Sequence, residues 1–365
     1  MSSVIQYIKK EPVLVISSIL ALFTSTFSTP KLSYIDFKVL ILLFNLMIVI
    51  SAFKKLNIMD YIASAFIKNC SSYKSLSIAL VSICFFSSMI VTNDVALLTF
   101  VPLTLIICSS INVSAIKVIV FETIAANLGS SLTPMGNPQN LFLYSYFNIS
   151  PMEFFKITLP LILISLILIL AFILKDKNYP LNINVSKVSI ENKNQGIIFF
   201  VLFIIILLSV FNILNYKVAF VITLITTIIF DKKLLFKIDY SLLLTFISFF
   251  IFIGNISSIE TIRLSIGKLL NTSLSTYISG IVTSQFISNV PTTLLLSSFT
   301  NHYKELLLSV NIGGLGTLIA SLASVISYKL YSKEFTNKSS AYMKNFTKYN
   351  LIFLIILAPL IYLLI

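Results

Sequence analysis

Ser87-Ser88-Met89-Ile90-Val91-Thr92-Asn93-Asp94-Val95 interrupts an apolar run in the first half of the chain, and Thr283-Ser284-Gln285-Phe286-Ile287-Ser288-Asn289-Val290-Pro291-Thr292-Thr293 interrupts another in the second. Each stretch puts small hydroxyls and one asparagine in the middle of an otherwise hydrophobic helix. In hydrocarbon an unpaired backbone polar group is so costly that such a break must face protein or water. Pro291 suits the first turn of a restarting helix, where its missing N–H costs nothing. The segments that hold these breaks, 75–110 and 274–300, read as helical pairs or as re-entrant hairpins.

The surrounding composition makes the bilayer the solvent. The 365 residues are 57% hydrophobic and 11% charged, with mean hydropathy +0.99, against roughly 25% charged for a soluble domain. Continuous apolar runs such as 161–174 exclude the alternation of a membrane β-barrel. Full spans are expected at 12–29, 35–53, 112–147, 153–174, 196–214, 216–231, 239–256, 303–330 and 346–365. Lys9-Lys10 followed by an apolar run mimics a signal peptide but lacks a clear small-x-small cleavage site, so an uncleaved first helix is expected. Tyr must supply the interfacial belt, because the chain has no Trp.

The net charge of +13 does not indicate a nucleic-acid partner. The basic residues lie in short loops between apolar runs, as positive-inside topology requires. Cys70, Cys84 and Cys108 have no metal-ligand spacing and read as small hydrophobes. The chain has one His, no HExxH, no GxSxG and no ATP-binding motif, which argues against a membrane enzyme or a primary pump.

Internal similarity organises the spans. Ile35-Asp36-Phe37 before Leu40-Ile41-Leu42-Leu43-Phe44 resembles Ile238-Asp239-Tyr240 before Leu243-Leu244-Thr245-Phe246, at an offset of 203. Thr92-Asn93 matches Ser288-Asn289, and Asn127-Leu128-Gly129 matches Asn311-Ile312-Gly313. Residues 1–174 and 215–365 therefore read as two repeats, with 175–214 a cytoplasmic linker and an extra helix. With both broken segments re-entrant, five crossings separate the repeat starts, and the odd number inverts the second copy. Inverted repeats are a signature of secondary transporters. On this topology seven basic residues (Lys31, Lys38, Lys156, Lys217, Arg263, Lys268 and Lys304) lie on one side and the other 19 on the opposite side. The richer side is cytoplasmic, with the N-terminus in and the C-terminus out.

Two long spans supply the complement to the hairpins. The segment 112–147 carries Asn127, Gly129, Thr133, Pro134, Gly136 and Asn137, and 303–330 carries Asn311, Gly313, Gly314 and Thr317. Gly, Pro and Asn let a helix unwind at the midplane. Freed carbonyls at helix C-termini suit a small cation, and N–H groups of restarting helices suit an anion. The alternative is that these small residues serve only close helix packing. The candidate site joins the segments to Ser88, Thr92, Asn93 and Asp94 of the first hairpin and to Ser284, Ser288, Asn289 and Thr292 of the second. Asp94, an acid at a hairpin tip, has three open roles: sodium ligand, proton carrier or helix cap. Glu122 is a second protonatable candidate, or else an interfacial charge, and His302 reads as solvated.

Thr92-Asn93-Asp94-Val95-Ala96-Leu97-Leu98-Thr99-Phe100-Val101-Pro102, Ser288-Asn289-Val290-Pro291-Thr292, the Thr133-Pro134-x-Gly136-x-Pro138 core and Asn311 to Ser321 together resemble the ion transporter superfamily. That group includes ArsB/NhaD-type permeases, citrate-transporter-like proteins and divalent anion/sodium symporters. The resemblance implies an all-α polytopic fold with a scaffold, a moving transport unit, elevator-type alternating access and a homodimer. It also implies Ser88, Thr92, Asn93 and the loop near Gly129, with Ser284, Ser288, Asn289 and the loop near Gly314, as ligands of sodium and substrate. The tips read Thr-Asn-Asp and Ser-Asn-Val rather than Ser-Asn-Thr, so the dicarboxylate-binding threonines are not reproduced. The resulting expectation is a secondary transporter of a small anion or oxyacid, coupled to sodium or protons and needing no cofactor beyond sodium. A sodium/proton antiporter is the alternative.

Overall fold

The computed structural model describes residues 11–68, 70–111, 113–181 and 188–365. Lys9-Lys10, Asn112 at the start of the first long span, and linker residues 182–187 lie outside the described residues. Among those described are seventeen α-helices and no strand: α1 (Pro12–Thr24), α2 (Phe37–Lys55), α3 (Ile58–Ile67), α4 (Tyr73–Val91), α5 (Asn93–Ser110), α6 (Ile116–Gly129), α7 (Pro138–Tyr146), α8 (Pro151–Leu174), α9 (Lys193–Val210), α10 (Tyr216–Asp231), α11 (Tyr240–Ser258), α12 (Glu260–Leu269), α13 (Ser273–Ile287), α14 (Asn289–Ser297), α15 (Tyr303–Gly313), α16 (Leu322–Glu334) and α17 (Ser339–Tyr362). Seven helices are long and apolar enough to cross a membrane by length and composition: α2, α4, α5, α8, α9, α11 and α17 with its preceding turn.

Local signals explain the matched stretches. Asp36 caps α2 by accepting from the Val39 N–H (3.1 Å), and Asp239 caps α11 by accepting from the Leu242 N–H (3.0 Å). The repeated Ile-Asp-aromatic motif is thus one helix-start device used twice. Reciprocal capping boxes open α4 at Ser72 and Ser75 and α13 at Thr272 and Ser275. Both helices then end at a residue with positive φ: Thr92 (φ 79°, ψ 150°) and Ser288 (φ 73°, ψ 155°). Such a backbone costs about 1–3 kcal/mol in a residue with a side chain and persists only where its surroundings fix it.

Helix pairs recur in exchanged form. The helix α1 packs on α11 while α10 packs on α2, and α5 packs on α16 while α14 packs on α7. Within each half the closest neighbours are α4 with α6 and α13 with α15. Residues 118–129 of α6 and 306–313 of α15 are buried without a break. These two helices have no lipid-facing stripe and form the centre of the molecule.

The structure adds to the expected spans in three places. The segments 112–147 and 303–330 split into α6 plus α7 and α15 plus α16, separated by short 3₁₀ turns at the Gly- and Pro-rich cores. The stretches before each hairpin, expected as loops, hold the ten-residue helices α3 and α12. At about 1.5 Å per residue they reach only half the hydrocarbon thickness. Each arm of the first hairpin, α4 and α5, is by length and composition able to cross a membrane. Whether such a pair enters part way or fully, the chain returns to the side it came from, so the sidedness argument is unaltered.

Candidate functional site

Two buried asparagines tie the centre together, each reaching into the other half. Asn127, near the end of α6, accepts at Oδ1 from Ser321 Oγ (2.9 Å) and donates from Nδ2 to Ser324 Oγ (3.2 Å). Asn311, near the end of α15, accepts at Oδ1 from Asn137 Nδ2 (3.1 Å) and donates from Nδ2 to Asn140 Oδ1 (2.7 Å). Ser321 and Ser324 open α16, and Asn137 and Asn140 open α7. At a spacing of 184, Asn127 pairs with Asn311, Asn137 with Ser321 and Asn140 with Ser324. The two sets of contacts are therefore the same device with the halves exchanged.

The hairpin tips join this network. Asn93 donates from Nδ2 to Asn127 Oδ1 (3.1 Å), and its own Oδ1 accepts from the Asp94 N–H (3.0 Å). Ser131 Oγ donates to Asn311 Oδ1 (3.0 Å), extending the chain across the halves. Asn289 Nδ2 lies against Gly314, where an added Cβ would sit 2.9 Å away. Gly129 rests on Ser88 and Gly313 on Ser284, with built Cβ positions 2.7 and 2.8 Å from the respective hydroxyl oxygens. Gly136 lies against the Ser130 carbonyl, in the turn that Pro134 opens.

Four helix ends thus converge from each half. The C-termini of α4, α6, α13 and α15 bring their last carbonyls here, some already taken by side chains (Met89 by Thr133, Asn127 by Ser130 and Ser131, Gly313 by Gln285), and the N-termini of α5, α7, α14 and α16 bring N–H groups. The Thr292 hydroxyl, in the first turn of α14, is buried with no hydrogen-bond partner among the described residues.

Not every expected residue reaches this point. Thr133 donates to the Met89 carbonyl (2.5 Å), and Thr317 donates to the Gln285 carbonyl (2.9 Å). Both tie an unwound loop to a hairpin arm. Glu122 is fully buried on α6, more than a turn from Asn127. It accepts from Thr104 (2.6 Å), and its second oxygen has no partner among the described residues. That burial rules out the interfacial-charge reading of Glu122. His302 is half-buried with its ring 3.3 Å from the Asn271 carbonyl.

Four contributors lie outside the candidate set read from the sequence. Asn140 donates to the Ser130, Ser131 and Thr133 carbonyls at 3.2–3.3 Å. Gln285 does the same for the second loop, donating to the Gly313 and Leu315 carbonyls and accepting from the Thr317 N–H. Ser321 and Ser324 complete the crossed pairs. The signal was available: adding 184 to Asn137 and Asn140 lands on both serines.

Asp94 makes no hydrogen bond or ion pair through its carboxylate among the described residues, so it does not cap α5 in the strict sense. It faces a cavity of about 260 Å³ between α2, the first tip and the start of α11, which Thr92, Asn137, Lys54, Lys237 and Asp239 also line. Asp94 and Asp239 are the acids among the described residues that line it, and Asn137 joins it to the buried network.

The sequence profile of citrate transporters matches residues 4–302. The chain belongs to the citrate transporter family. The match contains both hairpin tips and the first unwound segment, and stops short of Asn311. An uncharacterized transporter of Methanocaldococcus jannaschii is 39% identical over 299 residues, covering 81% of each chain. The inner membrane protein YbiR of Escherichia coli is 27% identical over 300 residues, covering 81% of this chain and 80% of the other. A putative ArsB transporter of Dictyostelium discoideum is 31% identical over 160 residues, 42% of this chain and 28% of that one. Family and fold together make the protein a multi-pass membrane transporter of the citrate transporter and ArsB type.

Proposed function

We propose that the protein is a secondary active transporter that carries a small anion or oxyacid, carboxylate- or arsenite-like, across the cytoplasmic membrane at the expense of a sodium or proton gradient. The observation that carries this reading is the crossed pair Asn127 and Asn311, which gathers the broken helix ends of both halves around one buried point. The carbonyl ends suit sodium and the N–H ends suit the anion. On this reading residues 1–174 and 215–365 are the inverted repeats, with the N-terminus in and the C-terminus out. The hairpins and unwound helices then move as one body against α1, α2, α10 and α11, in a homodimer like those of the wider superfamily.

The test is flux. Purified protein in liposomes is expected to accumulate citrate or arsenite when a sodium or proton gradient is imposed. Flux under neither gradient would sink the proposal. Asn93→Ala and Asn289→Ala are expected to abolish that flux while the purified variants elute and melt like the parent. Full activity in either would remove the tips from the site.

A second reading, sodium/proton antiport, is favoured by two acids: among the described residues, one oxygen of buried Glu122 has no partner and Asp94 faces the cavity unpaired. Proton release from acidified inverted vesicles on adding sodium, without any anion, would support it. Asp94→Asn and Glu122→Gln should then each remove the response.

A further inference from the structure

A second cavity, of about 670 Å³, lies at the opposite ends of α2 and α11 from the one that reaches Asp94. The two are built from equivalent positions. At the offset of 203, Met47 and Ile50 of the first become Phe250 and Ile253 of the second, and Asp239 becomes Asp36. At the hairpin offset of 196, Leu98 becomes Leu294. The cavities therefore lie along the same seam between scaffold and hairpin, one from each half.

Their depths differ. The first cavity reaches the tip itself at Thr92. The second stops at Leu294 on α14 and at Ser298 just past its end, beyond Asn289. Tyr34 walls it, its ring seated on Gly254, where an added Cβ would lie 2.2 Å from the ring.

Each cavity has two cations, of unlike origin, but the first also has two acids, Asp94 and Asp239, against one, Asp36, in the second. Lys54 and Lys237 line the first cavity, but their equivalents in the second are Ser257 and Tyr34. Two cations are present there nonetheless, Lys31 and Arg263, from positions with no counterpart in the first. Arg263 is the one arginine of the chain. Neither Lys31 nor Arg263 makes a side-chain hydrogen bond or ion pair among the described residues. The acid facing them is Asp36, one oxygen of which already caps α2. A planar guanidinium and an ammonium lining one cavity suit the oxygens of a carboxylate or oxyanion.

We propose that Lys31 and Arg263 form an anion-capture site at the outer mouth, which takes small carboxylates or oxyanions before the second tip opens to that side. Lys54 and Lys237 do the same at the inner mouth. The inference rests on the transport reading above and on the lysine-based sidedness. It adds that the two faces are served by different residues.

The test separates the faces. Uptake of radiolabelled citrate is measured in right-side-out and in inverted membrane vesicles. The Lys31→Ala/Arg263→Ala double variant is expected to raise KM about tenfold in right-side-out vesicles with kcat nearly kept, and to leave inverted vesicles unchanged. Lys54→Ala/Lys237→Ala is expected to show the reverse pattern. Arg263→Lys should fall between, because it keeps the charge and loses the fork. In the unaltered protein the right-side-out KM should rise between about 20 and 200 mM potassium chloride, as screening of exposed charge requires. Equal KM shifts at both faces, no shift at either, or a salt-independent KM overturns the proposal and leaves the transport reading intact. Absence of citrate flux in the unaltered protein at both faces overturns the proposal together with the carboxylate form of that reading.

Discussion

Asn311→Ala is expected to lower the melting temperature by about 5 °C and to remove transport. The asparagine is satisfied at every valence. Its Oδ1 accepts from Ser131 and Asn137, and its Nδ2 donates to Asn140 Oδ1 and to the Leu307 carbonyl (2.7 Å). Truncation leaves Asn140 Oδ1 without its partner at a fully buried position. An orphaned buried group costs about 1–3 kcal/mol, and the space left by the side chain adds to it. Asn140 also holds three carbonyls of the first unwound loop, so disorder would spread from the second half into the first. Asn311→Asp keeps the volume but points a second oxygen at two acceptors, and should be no better tolerated. A thermal melt in detergent within about 1 °C of the parent for Asn311→Ala would mean that the crossed contact holds nothing together.

Gly129→Ala should be severely damaging, because the site has no room for a methyl. Its backbone conformation is ordinary, φ −59° and ψ −42°, so the penalty is spatial. The new Cβ would lie 2.2 Å from the Phe85 carbonyl oxygen and 2.7 Å from Ser88 Oγ. The first of these is backbone of α4 and cannot rotate away. Close helix approach in membranes depends on such small residues, and forced overpacking costs about 1–3 kcal/mol, more where nothing can yield. The expected result is poor yield of folded protein and no flux. Gly196→Ala is the control, since the nearest atoms there are side-chain carbons 3.7 and 3.8 Å away. Equal yield and melting for the two variants would refute the packing argument. Gly313→Ala should fall between them, because its closest contact is the Ser284 hydroxyl at 2.8 Å and only part of that neighbour is fixed.

Much of this architecture was legible because membrane helices announce their interruptions. Asn93 and Asn289 stood out as polar residues in apolar runs, and the Ile-Asp-aromatic starts of α2 and α11 proved to be matched caps. The Gly-, Pro- and Asn-rich segments marked where α6 and α15 end. The short helices α3 and α12 were not legible, because ten half-apolar residues between two spans look like a loop to any argument built on span length. The partners of Thr133 and Thr317 are not legible either, for a different reason. A hydroxyl in an unwound loop bonds whichever acceptor is nearest, and here that is a hairpin carbonyl. Gln285 was missed because a glutamine on a hairpin arm gives no sign that it reaches across to a loop thirty residues further on.

The exchange of Asn127 and Asn311 also bears on how the protein is made. Residue 127 leaves the ribosome nearly two hundred residues before its partners Ser321 and Ser324 exist. At about 5–20 residues per second, Asn127 waits on the order of ten seconds or more for Ser321 and Ser324, with only its contact to Asn93 available in its own half. The first loop can close locally through Asn93, Asn137 and Asn140, but its crossed contacts to Asn311, Ser321 and Ser324 are encoded in the other half. Completion of the fold is therefore a late, post-synthetic event, and a nascent chain stalled before α16 should persist as an open intermediate rather than as a finished half.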